Sequence, residues 1–166
     1  MLKLIPAAVA VSFLVAAQVF AQGAQVPFGG LKHDTTLPVE VTADQLEVDQ
    51  ADGIAVFSGN VVVGQGEMRL AADRVRVEYA GSEDATGEIR RLHASGNVVL
   101  TNGAEAAEAQ DAVYTIASGD VVMTGDVILT QGRNALSGER FVVDLQSGTG
   151  VMEGRVRTIL QPEESE

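Results

Sequence analysis

Apolar and polar residues alternate along most of this chain. In Arg74-Val75-Arg76-Val77-Glu78-Tyr79 the valines and the tyrosine fall on one parity and the charged residues on the other. Phe141, Val143 and Leu145 repeat the pattern, and Leu46 and Val48 begin it. A period of two sends successive side chains to opposite faces of a strand, so these segments predict strands with one buried and one wet face. Valine dominates the apolar residues and glycine interrupts them, a combination that favours strands. No long stretch after residue 21 has helical periodicity.

The alternation is organised into repeats. Gly59–Tyr79, Gly96–Ile116 and Gly125–Leu145 align as 21-residue blocks without a gap. Glycine recurs at the first position (Gly59, Gly96, Gly125) and the eighth (Gly66, Gly103, Gly132). Asn60, Asn97 and Asp126 share the second position, Val61, Val98 and Val127 the third, and Val63, Leu100 and Leu129 the fifth. A half-unit precedes the array at Ala43–Val48, and Gly154-Arg155-Val156 opens another after it. First-position glycines are spaced 37, 29 and 29 residues apart, and the back halves at Asp44, Asp73, Gln110 and Glu139 by 29, 37 and 29. Both series place eight extra residues at Gly81–Glu88, which reads as a lengthened turn. Ser58-Gly59-Asn60, Ser95-Gly96-Asn97, Thr124-Gly125-Asp126 and Glu153-Gly154-Arg155 stand between apolar residues. Gly and Asn tolerate positive φ, so these positions are expected to be hairpin turns. Repeats that each bury a face against the next form a quasi-one-dimensional stack with two open ends.

The first residues change the picture. A short positive start, an apolar run from Leu4 to Val19 and the small-residue exit Val19-Phe20-Ala21 form a signal-peptide pattern. The run is short for a spanning helix; a retained membrane anchor is the alternative. The organisation expected is a signal peptide (1–21), a variable lead-in (22–38), an all-β repeat domain (39–160) and an acidic tail (161–166). Cleavage would remove Lys3 and leave 145 residues with 10 basic and 23 acidic side chains, a formal charge of −13. That charge argues against nucleic acid, where affinity rests on neutralising phosphates. The chain has no cysteine, so core packing and the backbone ladder must hold it.

Candidate chemistry is sparse. His33 and His93 have no spaced partner, and Asp49, Asp52, Asp84 and Glu88 do not follow a calcium-loop spacing. Asp44, Asp73 and Glu139 share a repeat position. Facing acids can cleave glycosides, but recurrence at a strand start favours an edge or turn role. The glycines have strand-turn spacing and no phosphate-loop pattern. No catalytic set, metal site or cofactor is expected. What remains is the apolar face: Leu46, Val48, Val61, Val63, Val75, Val77, Tyr79, Val98, Leu100, Tyr114, Val127, Leu129, Phe141 and Val143 should point inward. Such an interior of Val and Leu suits a slot for acyl chains as well as it suits a packed core.

The ends are expected to be sticky. Val39–Val48, with Val39, Val41 and Val48, and Arg155–Leu160, with Val156 and Ile159, keep alternating patterns and free backbone groups. Head-to-tail pairing of these edges, between copies or with a partner of the same fold, is the expectation.

The Ser58–Gly66 run followed by Ala71-Ala72-Asp73-Arg74-Val75-Arg76-Val77-Glu78-Tyr79, with the recurring Gly-Asn/Asp-Val unit, resembles the OstA-like family of lipopolysaccharide-transport proteins. The resemblance spans residues 39–160. It implies a twisted, slightly open antiparallel β-jellyroll preceded by a signal peptide. It implies lipid A acyl chains of lipopolysaccharide between the sheets, and a periplasmic bridging role without enzyme activity. It implies end-to-end partners of the same fold, LptC-like at the inner membrane and LptD-like at the outer membrane. A membrane-anchored relative of the same system, a structural or adhesive β-repeat protein with a dry core, and a polysaccharide-acting enzyme are the other readings the residues leave open.

Overall fold

The computed structural model of the chain describes residues 24–27, 32–80 and 87–161. The proposed signal peptide, most of the lengthened turn and residues 162–166 lie outside the described residues. Six long strands form an antiparallel meander: β4 (Ile54–Gln65), β5 (Met68–Tyr79), β6 (Ile89–Asn102), β7 (Glu105–Thr115), β8 (Asp120–Gln131) and β9 (Asn134–Asp144). Short strands flank them. β2 (Glu40–Thr42) and β3 (Gln45–Asp49) both pair with β4; β10 (Thr149–Glu153) and β11 (Arg157–Ile159) both pair with β9. β1 (Ala24–Pro27) adds outside β10.

The Gly-Asn and Gly-Asp pairs are not hairpin turns, contrary to the sequence expectation. They sit in the middle of β4, β6 and β8, where both residues take positive φ: 78° and 47° at Gly59-Asn60, 78° and 47° at Gly96-Asn97, 86° and 49° at Gly125-Asp126. The ladder steps from Ser58–Arg74 to Val61–Ala72, three residues against two, and this irregularity recurs at each corner. An extra residue of this kind bends a strand and increases its twist. Each long strand therefore belongs to two arms of one folded sheet. The residue opposite each bend packs on the glycine. A Cβ on Gly59 would lie 2.6 Å from Asp44 Oδ2, and glycines 96, 125 and 154 meet Asp73, Gln110 and Glu139 in the same way. Asn60 Nδ2 donates to Asp44 (2.9 Å), Asn97 Nδ2 to Asp73 (2.8 Å), and Arg155 Nε to Glu139 (2.9 Å). These recurring acids are corner anchors.

The eighth-position glycines make the hairpins. Gly66, Gly103 and Gly132 open two-residue loops with φ of 55–59°, the place where a two-residue hairpin needs glycine. We call this side the hairpin arm. The other arm ends in four-residue turns that close on Gly53, Gly119 and Gly148. There Asp49 and Asp144 cap the turns by accepting from backbone amides two and three residues on. The insertion lengthens the turn between β5 and β6, closed by Ala80 N to Glu88 O at 2.8 Å.

The alternation keeps one face inward in both arms. In β5 the buried residues are Met68, Leu70 and Ala72, then Val75 and Val77; the parity changes at the bend around Asp73. β7 and β9 change in the same way. In β4, β6 and β8 the extra Gly-Asn or Gly-Asp residues keep parity unbroken. The inner faces close on each other in a single core.

A glycine at the bend should be far less replaceable than a glycine in a hairpin. Gly96→Ala is expected to cost roughly 1–3 kcal/mol from strained φ and collision with Asp73. Gly103→Ala, whose Cβ would meet nothing within 4 Å, should cost about 1 kcal/mol from φ alone. Urea denaturation of both variants measures the difference.

Candidate apolar binding interior

Eleven of the fourteen expected interior residues are buried: Val61, Val63, Val75, Val77, Val98, Leu100, Tyr114, Val127, Leu129, Phe141 and Val143. The ladder brings them together in rows. Phe57, Val75 and Ala94 lie across from one another in the turn arm; Val63, Leu70 and Leu100 do so in the hairpin arm. Tyr79 is only partly buried at the end of β5. Leu46 and Val48 correct the expectation: they are 54% and 52% exposed. Their face is right, since Leu46 pairs with Phe57 and Val48 with Ala55, but among the described residues β3 is the last strand of its arm and nothing covers it. Sequence reasoning missed Met68, Leu92, Met123 and Met152, all fully buried.

The interior is filled by its own side chains, and it has an open side. Opposite the bend, the tips of the two arms face each other across a mouth. On the hairpin arm, polar side chains stand at this rim: Gln65 and Asn102 are buried, and Gln131 donates to Glu105 Oε1 at 3.0 Å. The signal for this rim was in the repeats, where Gln65, Asn102 and Gln131 each precede the hairpin glycine on the inward parity.

Gln65 is the hub. Its side chain is in a residue 1% exposed. Its Oε1 accepts from Tyr114 Oη across the two arms at 2.8 Å, and its Nε2 donates to the carbonyls of Thr35 (3.0 Å) and Leu37 (2.8 Å). Residues 32–38, expected as lead-in, thus cross the mouth: His33 N also donates to Leu145 O at 2.7 Å on the turn arm. Burial pushes the Tyr114 phenol up to about 12.

Of the basic residues, Arg69 donates to Gly66 O at the tip of the hairpin arm (2.6 Å), and others lie on the turn arm. Arg74 and Arg76 pair across the ladder with Ser95 and His93, and Glu78 with Arg91, on the outer face of the turn arm. Arg90 donates to Glu78 at 2.8 Å and holds that carboxyl below its usual range. Among the described residues, no group of three or more His, Asp or Glu side chains is placed to hold a metal ion, and no helix is long and apolar enough to cross a membrane.

The edges are unequal. Among the described residues, β2 and β3 leave one end of the sheet free in both arms. Val39 and Val41 are partly buried against the core, as is Val156, while Ile159 is 51% exposed on β11. Among the described residues β11 is a free edge of the hairpin arm, but in the turn arm β1 covers β10 with the register Ala24–Met152 to Pro27–Thr149.

Known proteins resemble this chain in sequence and in fold. The family model described as "LptA/(LptD N-terminal domain) LPS transport protein" matches residues 40–149. The chain belongs to this family. The lipopolysaccharide export system protein LptA of Escherichia coli K12 is 35% identical over 60 residues, which cover 36% of this chain and 32% of that protein. The LPS-assembly protein LptD of Salmonella typhimurium LT2 is 41% identical over 69 residues, 41% of this chain and 9% of that protein. The chain thus spans less than two thirds of these curated relatives. The crystal structure of LptH from Pseudomonas aeruginosa, titled the LptA homologous periplasmic component of the lipopolysaccharide transport device, superposes with a TM-score of 0.68. It is 23% identical and covers 78% of this chain and 99% of its own. The fold is that of the OstA-like jellyroll, an open antiparallel sheet bent on itself.

The position of Tyr114 has a pH consequence. The unfolded phenol ionises near 10 and the folded one near 12. Its stabilisation is therefore complete below pH 10 and disappears as pH rises through 12. Melting scans should show wild type losing on the order of 2 kcal/mol across this window relative to Tyr114→Phe. At pH 7 the same variant should be less stable by about 1–2 kcal/mol, because Gln65 Oε1 loses its buried donor.

Proposed function

We propose that this chain carries lipopolysaccharide through the periplasm from the inner to the outer membrane, holding lipid A acyl chains between its two arms. The observation that carries the reading is the open end: the inward face continues to Leu46 and Val48, apolar and half exposed, where a single self-contained domain would place a polar cap. An apolar track that stops at an uncovered end is suited to continue into a neighbour of the same fold. The polar rim at the mouth suits the headgroup side of an amphiphile. Family membership and the likeness to a periplasmic transport component support this reading.

Carriage requires the arms to part, because the interior is filled. Transfer of one methylene out of water contributes about 0.8 kcal/mol, so a chain of roughly twelve supplies on the order of 10 kcal/mol against that cost. The filled interior itself favours a second reading, a structural envelope β-repeat with a dry core. Protein purified from its native envelope should contain lipid A by mass spectrometry, and photo-crosslinkers at Val77 and Phe141 should capture lipopolysaccharide while those at Arg76 and Asp144 do not. Clean protein that takes up no added lipopolysaccharide, or equal capture at both pairs of positions, would establish the dry-core reading instead.

The ends supply the bridge. β2–β3 run antiparallel to β4 and β10–β11 antiparallel to β9, so in the hairpin arm the outer strands β2 and β11 are antiparallel to each other, while in the turn arm β3 and β1 run parallel. Strand addition can therefore join β2–β3 of one copy to the β11 side of the next, or to LptC-like and LptD-like partners of the same fold. On the turn arm β3 would meet β1 in parallel, or pair antiparallel with β10 once β1 is displaced. Proline removes a ladder donor; Val156→Pro or Ile159→Pro should abolish concentration-dependent oligomers in analytical ultracentrifugation while circular dichroism stays unchanged. Unaltered oligomers would remove the C-terminal edge from the interface.

A further inference from the structure

The segment 33–37 crosses the mouth with few attachments. It forms no ladder; its ties to the arms include one backbone bond at His33 and two bonds from a single side chain, Gln65. Asp34 accepts from both the amide (3.0 Å) and hydroxyl (2.6 Å) of Thr36, which also holds the Asp34 carboxyl below its usual range. Asp34 thus braces the turn from within, and Leu37 N donates to Asp34 O as well (3.4 Å). Beside it opens a cleft of about 470 Å³ lined by Thr35, Leu37, Val39, Gln65, Ile89 and Ile116, among others. Val39, Ile89 and Ile116 pack directly on the core, so the floor of the cleft is the margin of the interior. Leu37 lies over the Gly66 hairpin, close to where a Cβ on Gly66 would stand, and Thr35 does the same at Gly119 on the opposite arm.

We infer that residues 33–37 are a displaceable strap latched by Gln65, and that the cleft it borders is the port through which a single linear acyl chain enters the interior. This rests on the carrier reading above. The latch is a side-chain amide donating to two strap carbonyls, bonds that water can replace when the strap lifts. The Tyr114 bond fixes the Gln65 amide with its donors facing the strap. The latch therefore joins three parts: the turn arm through Tyr114, the hairpin arm through Gln65, and the strap. A chain entering beneath Leu37 would meet Ile89 and Ile116 first and leave its polar end at the rim beside Gln65 and Glu88.

Two variants of the full chain test this. Gln65→Leu with Tyr114→Phe removes a buried donor and acceptor together, an exchange that folded proteins tolerate better than the loss of one partner. Thr35→Cys with Gln146→Cys places two thiols on either side of Gly119, whose Cβ position is 3.2 Å from Thr35 Cγ2 and 2.9 Å from Gln146 Cγ. The chain contains no other cysteine, so a bis-methanethiosulfonate spacer locks the strap there and reductant frees it. The probe is cis-parinaric acid, followed by stopped-flow fluorescence, with amide hydrogen exchange measured on residues 33–37. The unlatched variant should take up the probe about tenfold faster, with faster exchange confined to the strap. The locked variant should take it up at least about tenfold more slowly and recover on reduction. Equal uptake with the strap locked and free would overturn the strap and leave the carrier intact. Absence of binding of both the probe and lipopolysaccharide, in wild type and in the unlatched variant, would overturn the carrier reading and the strap with it.

Discussion

The structure depends on the bend in each long strand. A strand that alternates with period two has one inward face, and folding that strand back over itself would ordinarily send the second half's apolar residues outward. Two consecutive left-handed residues solve this in β4, β6 and β8, where Gly59-Asn60, Gly96-Asn97 and Gly125-Asp126 insert the extra length. Their partners β5, β7 and β9 change parity instead, around Asp73, Gln110 and Glu139. The first bend residue must be glycine because the neighbouring side chain stands where its Cβ would be. The second is a donor to an acid at three corners. At the fourth the acid and the amide have changed sides, as Asp126 and Gln110. A one-residue error at any corner would turn half a strand's valines to water.

From the bend follow the mouth and the open ends. A sheet folded on itself encloses its apolar face on one side only, and it never closes into a barrel. The mouth must be finished with polar groups that have partners. Gln65 shows the cost of this position: a buried amide has to satisfy both its oxygen and its nitrogen, and it does so by tying Tyr114 to the backbone of residues 35 and 37. The ends are finished differently. One retains apolar inward residues in the open, and the other is half covered by the chain's own β1.

Ion pairs are kept away from the interior, although the Glu105 carboxylate stands at the rim of its mouth. The chain is strongly acidic, yet its ionic contacts lie on outer faces or at corners: Arg90 with Glu78, Arg140 with Glu153, Arg155 with Glu139. Exposed pairs of this kind contribute little to stability. The core and the ladder therefore hold the fold, and the acid surplus keeps a protein with two strand edges soluble. On the proposed carrier reading, a cargo's headgroup would remain outside the mouth.

Much of this was legible in the residues. Period-two alternation determined the strands and which side chains share a face, because backbone geometry alone dictates that pattern. The 29-residue spacing determined the repeat, and the extra eight residues marked the one turn that differs. Recurrence also placed Asp44, Asp73 and Glu139 in equivalent sites, without showing that they sit on the glycines of the next strand. Local sequence could not separate a hairpin from a bend at Gly-Asn, since both need positive φ; the two differ only in what the strand does several residues later. Nor could it show that Leu46 and Val48, correctly patterned, would be left uncovered, because exposure depends on whether another strand follows. The crossing of the mouth by residues 32–38 was set by contacts with Gln65 and Leu145, 28 or more residues distant along the chain. Such contacts exist only once both arms are folded, and only the tertiary structure decides them.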